Sequence, residues 1–432
     1  MSGPADPDLS AAFARPDWLL RLNAVARDLA PHPDRLVPLS PESLLEAAAA
    51  NTELDDFGSD DFREPLAVLC RSLAEESEAT LMGQLLARGD LLNLLENRAR
   101  LVAARAQIPA VAEESVAQPI FIVGLPRSGT SILHELLARD PRLRAPLSWE
   151  AHSPCPSPGD LAAGPGVRDP DWERACIERA DNIFTFWNEL VPAYATMHEM
   201  GARIPCECIW LTAHSFRSEE FLGRNRVPSY GAWLAGADLG PAYAIHRELL
   251  ELLQWQRPTE RWLLKAPSHM MALPALFAEY PDARIIQTHR DPVQIMGSSV
   301  NLLRALCWMR SESADPELIK ASFAGEGLAA RLFAALDFRD TPGAPAGAFQ
   351  DVRFADLMAD PLAAVARIYQ GLELDFTEEV ESAMGDYLAH KPRNKFGKHD
   401  YAFADLGLNL GEERERFAGY QARFDIASEV MS

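Results

Sequence analysis

Basic residues are scarce in this sequence of 432 amino acids. Its 41 lysines and arginines stand against 63 aspartates and glutamates, which gives a formal net charge of −22 at pH 7. Such an acidic chain repels the phosphates of nucleic acids and of anionic membranes. We therefore expect no nucleic-acid partner, and any anionic ligand must be held by a local group of positive side chains.

Long apolar runs are also lacking. No stretch of about 18 apolar residues, the length that a membrane-spanning helix needs, occurs in the sequence. The first residues, MSGPADPDLSAAF, lack the basic segment and the apolar segment of a secretory signal. These absences predict a cytoplasmic protein with no membrane span.

Cysteine is infrequent, with six residues spread through the chain. This number fits reduced thiols better than a disulfide framework. Cys206 and Cys208 flank one glutamate, which suggests half of a metal site, but no second Cys/His pair stands nearby. We therefore expect a structural role for this pair and no metal.

The periodicity of apolar residues divides the chain near residue 112. Residues 1–112 carry helical patterns only, at 16–29, 40–50 and 65–106, whereas residues 113–432 alternate between strand and helix patterns. Such alternation is typical of a parallel sheet flanked by helices, so we predict an α/β fold with a helical N-terminal region. A mostly helical insert, at about 151–258, is expected to cover the site. The predicted strands are 120–123, 262–265, 284–288 and 349–353, and the helices of the core are 131–139, 269–279, 292–307 and 361–370.

A phosphate loop follows the first predicted strand. Residues 124–131 read GLPRSGTS, between an apolar strand and a helical segment. Glycines let the backbone fold around an anion, and the first amides of the helix point at it. A nucleoside-triphosphate loop would end in Gly-Lys-Ser/Thr, but here Thr130 takes the lysine position and Arg127 supplies the positive charge. The loop therefore predicts a phosphate-bearing ligand that is not a magnesium triphosphate.

Three later segments place positive charge where ligands of a parallel sheet bind. One apolar strand ends on Lys265, and another ends just before Arg290, whose following helix carries Ser298. A third segment, residues 391–399, holds four formal positive charges. Each alone is a weak signal, because basic residues often cap strands at the surface, but together they indicate a second anion site.

These motifs resemble the sulfotransferases that use 3′-phosphoadenosine 5′-phosphosulfate (PAPS), in their bacterial-type branch. The resemblance rests on PIFIVGLPRSGT at 119–130, WLLKAPSH at 262–269 and DARIIQTHRDP at 282–292, with a serine eight residues after the arginine. It covers most of residues 119–410 and implies a P-loop-like fold. The implied reaction moves a sulfuryl group from PAPS to a hydroxyl or amine, without metal, and releases adenosine 3′,5′-bisphosphate.

The resemblance also implies roles for individual residues. The loop would hold the 5′-phosphosulfate, and Arg290 with Ser298 would hold the 3′-phosphate. Arg127 and Lys265 would stabilise charge in the transition state. The loop residues concerned are Pro126, Arg127, Ser128, Gly129, Thr130 and Ser131, and the candidates in the late basic run are Arg393, Lys395 and Lys398.

The general base is open between a glutamate and a histidine. Glu150 occupies the place of the glutamate that tyrosylprotein-type relatives carry after the helix that follows the loop. His198 and His269 are the rival candidates, as in the small-molecule branch, although each could equally be a packed histidine.

The insert gives the only indication of the acceptor. Residues 181–235 contain nine aromatic side chains. They could line a pocket for a hydrophobic alcohol or phenol, or simply pack the insert onto the core. A small-molecule acceptor is expected, and a homodimer is left open.

Two other function classes remain at this stage. A magnesium-dependent P-loop kinase of small molecules would share the loop, although the Walker lysine and a strand-borne magnesium aspartate are missing. A non-catalytic nucleotide-binding protein would keep the loop but would not need Lys265 or Glu150.

Overall fold

In the part of the chain that the structure describes, five parallel strands form the central sheet. The structure is a computed structural model that describes residues 13–29, 36–157, 159, 164–391 and 403–429. The strands lie in the order β2-β3-β1-β4-β5, so that β1 is central and fully buried. Their bounds are β1 Ile120–Gly124, β2 Leu143–Arg144, β3 Arg261–Lys265, β4 Arg284–His289 and β5 Phe349–Arg353.

Helices cover both faces of this sheet, as predicted for a P-loop-like α/β fold. The four predicted strands are confirmed, and β2 escaped prediction because only two of its residues pair with β3. The helices of the core are α5 Thr130–Leu137, α6 Ser148–His152, α13 Leu273–Glu279, α14 Pro292–Arg310, α15 Pro316–Phe323, α16 Gly325–Arg339, α17 Phe354–Ala359, α18 Pro361–Gly371, α19 Glu378–His390 and α20 Leu410–Phe424.

The strand register brings the sequence motifs to one edge of the sheet. Ile122 of β1 pairs with Lys265 of β3, and Gly124 at the end of β1 pairs with Thr288 of β4. Because all strands are parallel, their carboxyl ends meet at this edge. The phosphate loop, Lys265 and Arg290 therefore leave the sheet side by side.

The N-terminal helices pack on the insert rather than forming a separate core. Apolar residues of α2 (Pro41–Thr52), α3 (Arg63–Glu76) and α4 (Leu81–Gln107) share one buried cluster with residues 213–230 of the insert. Ser40 caps α2, since its hydroxyl accepts a hydrogen bond from the Ser43 amide. The helices of this region are α1 Asp17–Leu29, α2 Pro41–Thr52, α3 Arg63–Glu76 and α4 Leu81–Gln107.

The stretch predicted as one long helical segment at 65–106 is two helices. The chain breaks at residues 77–80, where Glu78 has a positive φ of 48° and the Thr80 side chain caps α4. The Thr80 amide donates to the carbonyl oxygen of Arg310 at 2.9 Å. This tertiary bond to the end of α14 explains a break that the local sequence does not signal.

The insert is mostly helical, as predicted, and lies over the carboxyl edge of the sheet. Within the described residues, none of the helices is long and apolar enough to cross a membrane. The helices of the insert are α7 Pro170–Leu190, α8 Tyr194–Met197, α9 Ile209–Thr212, α10 Glu220–Arg224, α11 Pro228–Ala235 and α12 Gly240–Gln256.

Candidate active site

The phosphate loop is an open anion cradle between β1 and α5. Arg127 and Gly129 both have positive φ values, 66° and 92°, which turn the chain tightly before the helix begins at Thr130. Gly129 stands at the N-cap position and brings no capping side chain. The first amides of α5 are therefore left for a ligand, with the positive end of the helix dipole behind them.

Gly124 allows the loop to lie against the neighbouring strand. Its φ is 149°, and a Cβ at this position would lie 2.2 Å from Thr288 Oγ1. The Ser128 hydroxyl completes this contact, at 2.7 Å from Thr288 Oγ1 and 2.5 Å from the Leu125 carbonyl oxygen. The Ser128 side chain thus fixes the loop from inside the core, where it is buried.

Replacing Gly124 with alanine should distort the cradle. The added methyl group must push the backbone of β1 and β4 apart, so we expect about 1–3 kcal/mol lower stability and at least tenfold weaker anion binding. Thermal unfolding and titration with adenosine 3′,5′-bisphosphate measure the two effects. Gly89→Ala is the matched control, because Gly89 is exposed within α4 and its Cβ would meet nothing within 4 Å. Unchanged anion binding in Gly124→Ala would contradict this role.

Lys265 lies beside the cradle and is bound to a carboxylate. It ends β3 and is buried, with its ammonium 3.3 Å from Ser131 Oγ and 2.5 Å from Oε1 of Glu207. The backbone holds this pair together, because the Cys208 amide donates to the Lys265 carbonyl oxygen at 2.8 Å. A cation and a carboxylate thus stand at the first turn of α5.

A cavity of about 200 Å³ opens beside the cradle and is called here the loop-side cavity. Its lining includes Glu207 and His198, and burial lowers the pKa of His198 below the ordinary value of 6.5. His198 is therefore a neutral imidazole at pH 7. The floor is formed by Pro126, Ser131 and Lys265, and an aromatic wall by Trp187, Tyr194 and Trp210.

The structure does not bring Glu150 to this cavity. Its side chain is only 1% exposed, with Oε1 accepting from Arg144 at 2.6 Å and Oε2 accepting from the Leu147 amide at 2.9 Å. The Arg144 guanidinium in turn stacks on Trp262. These contacts indicate that Glu150 fixes the start of α6, and they argue against its prediction as the base.

His269 is placed elsewhere as well. It lies in the 3₁₀ helix Pro267–Met271 ahead of α13, and its Nδ1 is 2.6 Å from the Tyr243 hydroxyl. Its ring is fully buried, and burial holds its pKa well below the ordinary value. It lines a second cavity rather than the loop-side cavity. Among the predicted histidines, His198 alone lines the loop-side cavity.

Arg290 lies at the other side of the phosphate loop, after β4. One nitrogen donates to the Arg127 carbonyl oxygen at 2.9 Å, and the guanidinium stacks on Phe354. Two further bonds, at 2.7 and 2.8 Å, go to the carboxylate of Glu429 near the end of the chain. Arg290 thus already holds an oxyanion in a forked geometry.

The remaining predicted ligands of the 3′-phosphate are Ser298 and the basic residues of 391–399. The Ser298 hydroxyl donates to the Ile295 carbonyl oxygen within α14, at 3.2 Å. Arg393, Lys395 and Lys398 lie outside the described residues. In the described parts of the chain, no group of three or more His, Cys, Asp or Glu side chains is arranged to hold a metal.

Glu207 was missed by the sequence analysis. The pair Cys206 and Cys208, which flanks it, was weighed only as a metal site, and both cysteines are free and buried. No spacing connects Glu207 to Lys265, 58 residues later. Glu207 contacts Lys265 because the backbone of the insert pairs with the end of β3. This contact can therefore be recognised only in the folded structure.

Comparison with known proteins agrees with this architecture. A profile of the sulfotransferase family matches residues 119–378. An omega-hydroxy-beta-dihydromenaquinone-9 sulfotransferase, Stf3, of Mycobacterium bovis is 26% identical over 304 residues, which cover 65% of this chain and 69% of that protein. The crystal structure of sulfotransferase STF1 from Mycobacterium tuberculosis H37Rv matches with a TM-score of 0.72 and 33% identity, over 88% of this chain and 98% of that one. Sulfotransferase STF9 from Mycobacterium avium matches with a TM-score of 0.75 and 27% identity, over 90% and 98% of the two chains.

The family match covers more than half of the chain and coincides with the strands that carry the phosphate loop, Lys265 and Arg290. This protein therefore belongs to the sulfotransferase family, in its bacterial-type branch, and is an enzyme that transfers a sulfuryl group.

Proposed function

We propose that the sulfuryl donor is PAPS and that the acceptor is a small hydrophobic alcohol or phenol. The observation that carries the donor assignment is the pair of anion sites at one sheet edge. The phosphate loop follows β1, and Arg290 follows the adjacent β4, with a direct bond from Arg290 to the Arg127 carbonyl oxygen. Two linked anion sites suit a nucleotide with phosphates at both its 3′ and 5′ positions.

The residues of this edge divide the binding of the donor. The amides of residues 129–131 face the 5′-phosphosulfate, and Arg127 and Thr130 stand beside them. Arg290 offers a guanidinium fork to the 3′-phosphate, and Ser298 is close in sequence on α14. We retain Arg393, Lys395 and Lys398 as candidates for the same phosphate.

In the proposed reaction, the acceptor oxygen forms a bond to sulfur while the bond from sulfur to the 5′-phosphate oxygen breaks. Lys265 and Arg127 stabilise the negative charge that develops on the transferring group and on the leaving phosphate. They supply positive charge that a metal provides in many phosphoryl transfers. The acceptor proton must pass to a base that lies near Lys265.

Glu207 is the base that we favour. Its carboxylate lines the loop-side cavity and lies 2.5 Å from the Lys265 ammonium, so a hydroxyl bound there could reach both groups. His198 is the second candidate, since it lines the same cavity as a neutral imidazole. Glu150 and His269 have hydrogen-bond partners outside this cavity, so we do not assign the role of base to either residue.

The lining of the loop-side cavity supports a hydrophobic acceptor. Trp187, Tyr194 and Trp210 form one wall, and Leu302, Leu303 and Leu306 of α14 contribute the other. The aromatic and aliphatic part of this lining suits an apolar molecule, and the charged side chains that also line the cavity, Lys265 and Glu207 among them, suit its hydroxyl. The curated relative named above acts, by its name, on an omega-hydroxylated menaquinone.

A binding comparison tests the donor assignment. Adenosine 3′,5′-bisphosphate and Mg-ATP are each titrated in a thermal-shift assay, and we expect strong stabilisation by the bisphosphate, with or without EDTA. Stabilisation by Mg-ATP alone would contradict the donor assignment. Binding of the bisphosphate without transfer to any alcohol or phenol would leave the donor assignment in place and contradict the acceptor class.

Glu429→Gln should tighten binding of the bisphosphate. The 3′-phosphate must displace the Glu429 carboxylate from Arg290, and the neutral amide is a weaker competitor. The ion pair is partly exposed, so we expect a modest gain of about threefold to tenfold in affinity. Isothermal titration measures it, with Glu412→Gln, in α20, as a control. Weaker or equal binding by Glu429→Gln would place the 3′-phosphate elsewhere.

A further inference from the structure

A second cavity, larger than the first, lies next to the loop-side cavity. Its volume is about 510 Å³, and it is formed by α11, α15, α16 and the segment between α11 and α12. Its lining is rich in alanine and glycine, which leave space, together with branched aliphatic side chains. The aliphatic lining residues include Leu222, Leu234, Leu239, Leu318 and Ile319.

The two cavities share part of their walls. Four residues line both, namely Glu219, Ser268, Leu303 and Phe323. We refer to these four residues as the neck. The charge of Glu219 at the neck is compensated, because its carboxylate accepts from Arg331 at 2.6 Å. The Arg331 guanidinium also lies over the Phe323 ring. A neutral apolar chain placed against the neck would therefore leave no unpaired charge beside it.

The sizes of the two cavities also favour an acceptor that occupies both of them. The loop-side cavity, at about 200 Å³, is below the 300–1,000 Å³ that is common for ligand sites, whereas the second cavity lies within this range. Lys265 and Glu207 line only the smaller cavity. The reacting hydroxyl and the bulk of an apolar acceptor would therefore occupy different compartments.

We infer that the acceptor is an elongated amphiphile, with its hydroxyl at Lys265 and Glu207 and its apolar chain extending through the neck into the second cavity. This inference rests on the proposed function and narrows the acceptor to long-chain alcohols. A short phenol would fill the loop-side cavity alone and would lose the contacts that the second cavity provides.

Chain-length dependence tests the inference. Radiolabelled hexan-1-ol and dodecan-1-ol are bound by equilibrium dialysis to the protein saturated with adenosine 3′,5′-bisphosphate, and transfer of ³⁵S from PAPS to each is measured in parallel. Dodecan-1-ol carries six methylenes more than hexan-1-ol. Each buried methylene contributes about fourfold in affinity, so burial of only half of the additional methylenes should already give more than about 30-fold tighter binding.

Two variants fill the second cavity from different walls. Ala235→Phe on α11 and Ala330→Phe on α16 should each reduce the preference for dodecan-1-ol to less than about threefold. Ala50→Phe on α2 should keep it, because Ala50 is equally exposed but lines neither cavity. As a measurement on the unaltered protein, dodecan-1-ol with a terminal diazirine should crosslink to residues of α11, α15 or α16.

Different results would contradict this inference and the proposed function on which it rests. The inference that the apolar chain occupies the second cavity would be contradicted by any of three results. These are equal binding of the two alcohols, a preference for dodecan-1-ol that both filling variants retain, or crosslinks confined to the loop-side cavity. In those cases transfer to hexan-1-ol would persist. Failure of the proposed function would instead appear as loss of ³⁵S transfer to every alcohol, whatever the binding data show.

Discussion

Glu207→Gln is expected to lower kcat by about 100- to 10,000-fold, the range for loss of a general base. The amide keeps the size of the carboxylate but cannot accept the proton of the attacking hydroxyl. Binding of adenosine 3′,5′-bisphosphate should change little, because in the proposed arrangement Glu207 faces the acceptor and not the donor. Single-turnover transfer of ³⁵S from PAPS, beside isothermal titration of the bisphosphate, gives both quantities.

The matched control is Glu199→Gln, which alters another glutamate lining the same cavity. If Glu199→Gln retains activity and Glu207→Gln loses it, the effect belongs to one carboxylate and not to the charge of the cavity. If Glu207→Gln is fully active, His198 becomes the base. Because burial lowers the pKa of His198, its activity would then decline only as the pH falls below 6.5, where the imidazole gains a proton.

Lys265→Met should lower kcat by about 100- to 1,000-fold, the range for loss of one group that stabilises transition-state charge. Methionine retains much of the apolar stem and removes the ammonium that lies 3.3 Å from Ser131 Oγ. The substitution also leaves Glu207 without its partner, so stability should fall as well. Single-turnover kinetics measure the first effect, and thermal unfolding measures the second.

The double variant Lys265→Met/Glu207→Gln separates these two effects. It removes both charges of the pair, so we expect it to regain much of the stability while it stays inactive. Recovery of activity together with stability would show that Lys265 serves the fold alone. Arg142→Met is a suitable control for the loss of a buried ion pair away from the cavity, since Arg142 binds Asp140 at 2.7 Å.

The donor side of the site could be predicted from the sequence because its signals are local. The strand, loop and helix around Gly124 follow one another directly, and the basic residues Lys265 and Arg290 stand at the ends of apolar strands. Parallel strands then bring these ends to one edge without further information. The register of β1 with β3 and β4 places them as expected.

The acceptor side depends on contacts between distant segments. Glu207 reaches Lys265 because the amides of Cys206 and Cys208 donate to the carbonyl oxygens of Pro146 and Lys265, both at 2.8 Å. Glu150 is withdrawn from the cavity by Arg144. Neither pairing has a periodic pattern or a fixed spacing in the chain, so residue type and position alone pointed to Glu150 and gave no signal for Glu207.

The aromatic residues of the insert lie in two different surroundings. Trp187, Tyr194 and Trp210 line the loop-side cavity, whereas Phe216 and Tyr230 pack with the N-terminal helices. One part of this aromatic segment therefore lines a cavity, and another part packs the insert onto the N-terminal helices. The sequence could not assign them because every one of these side chains is apolar enough for either role.

Transfer of ³⁵S from PAPS to dodecan-1-ol in the presence of EDTA tests the central claim most directly. We expect a labelled alkyl sulfate that forms at the same rate with and without added magnesium. Adenosine 3′,5′-bisphosphate should inhibit its formation competitively against PAPS. Absence of labelled product from dodecan-1-ol and from a panel of shorter alcohols and phenols, by protein that binds the bisphosphate, would contradict it.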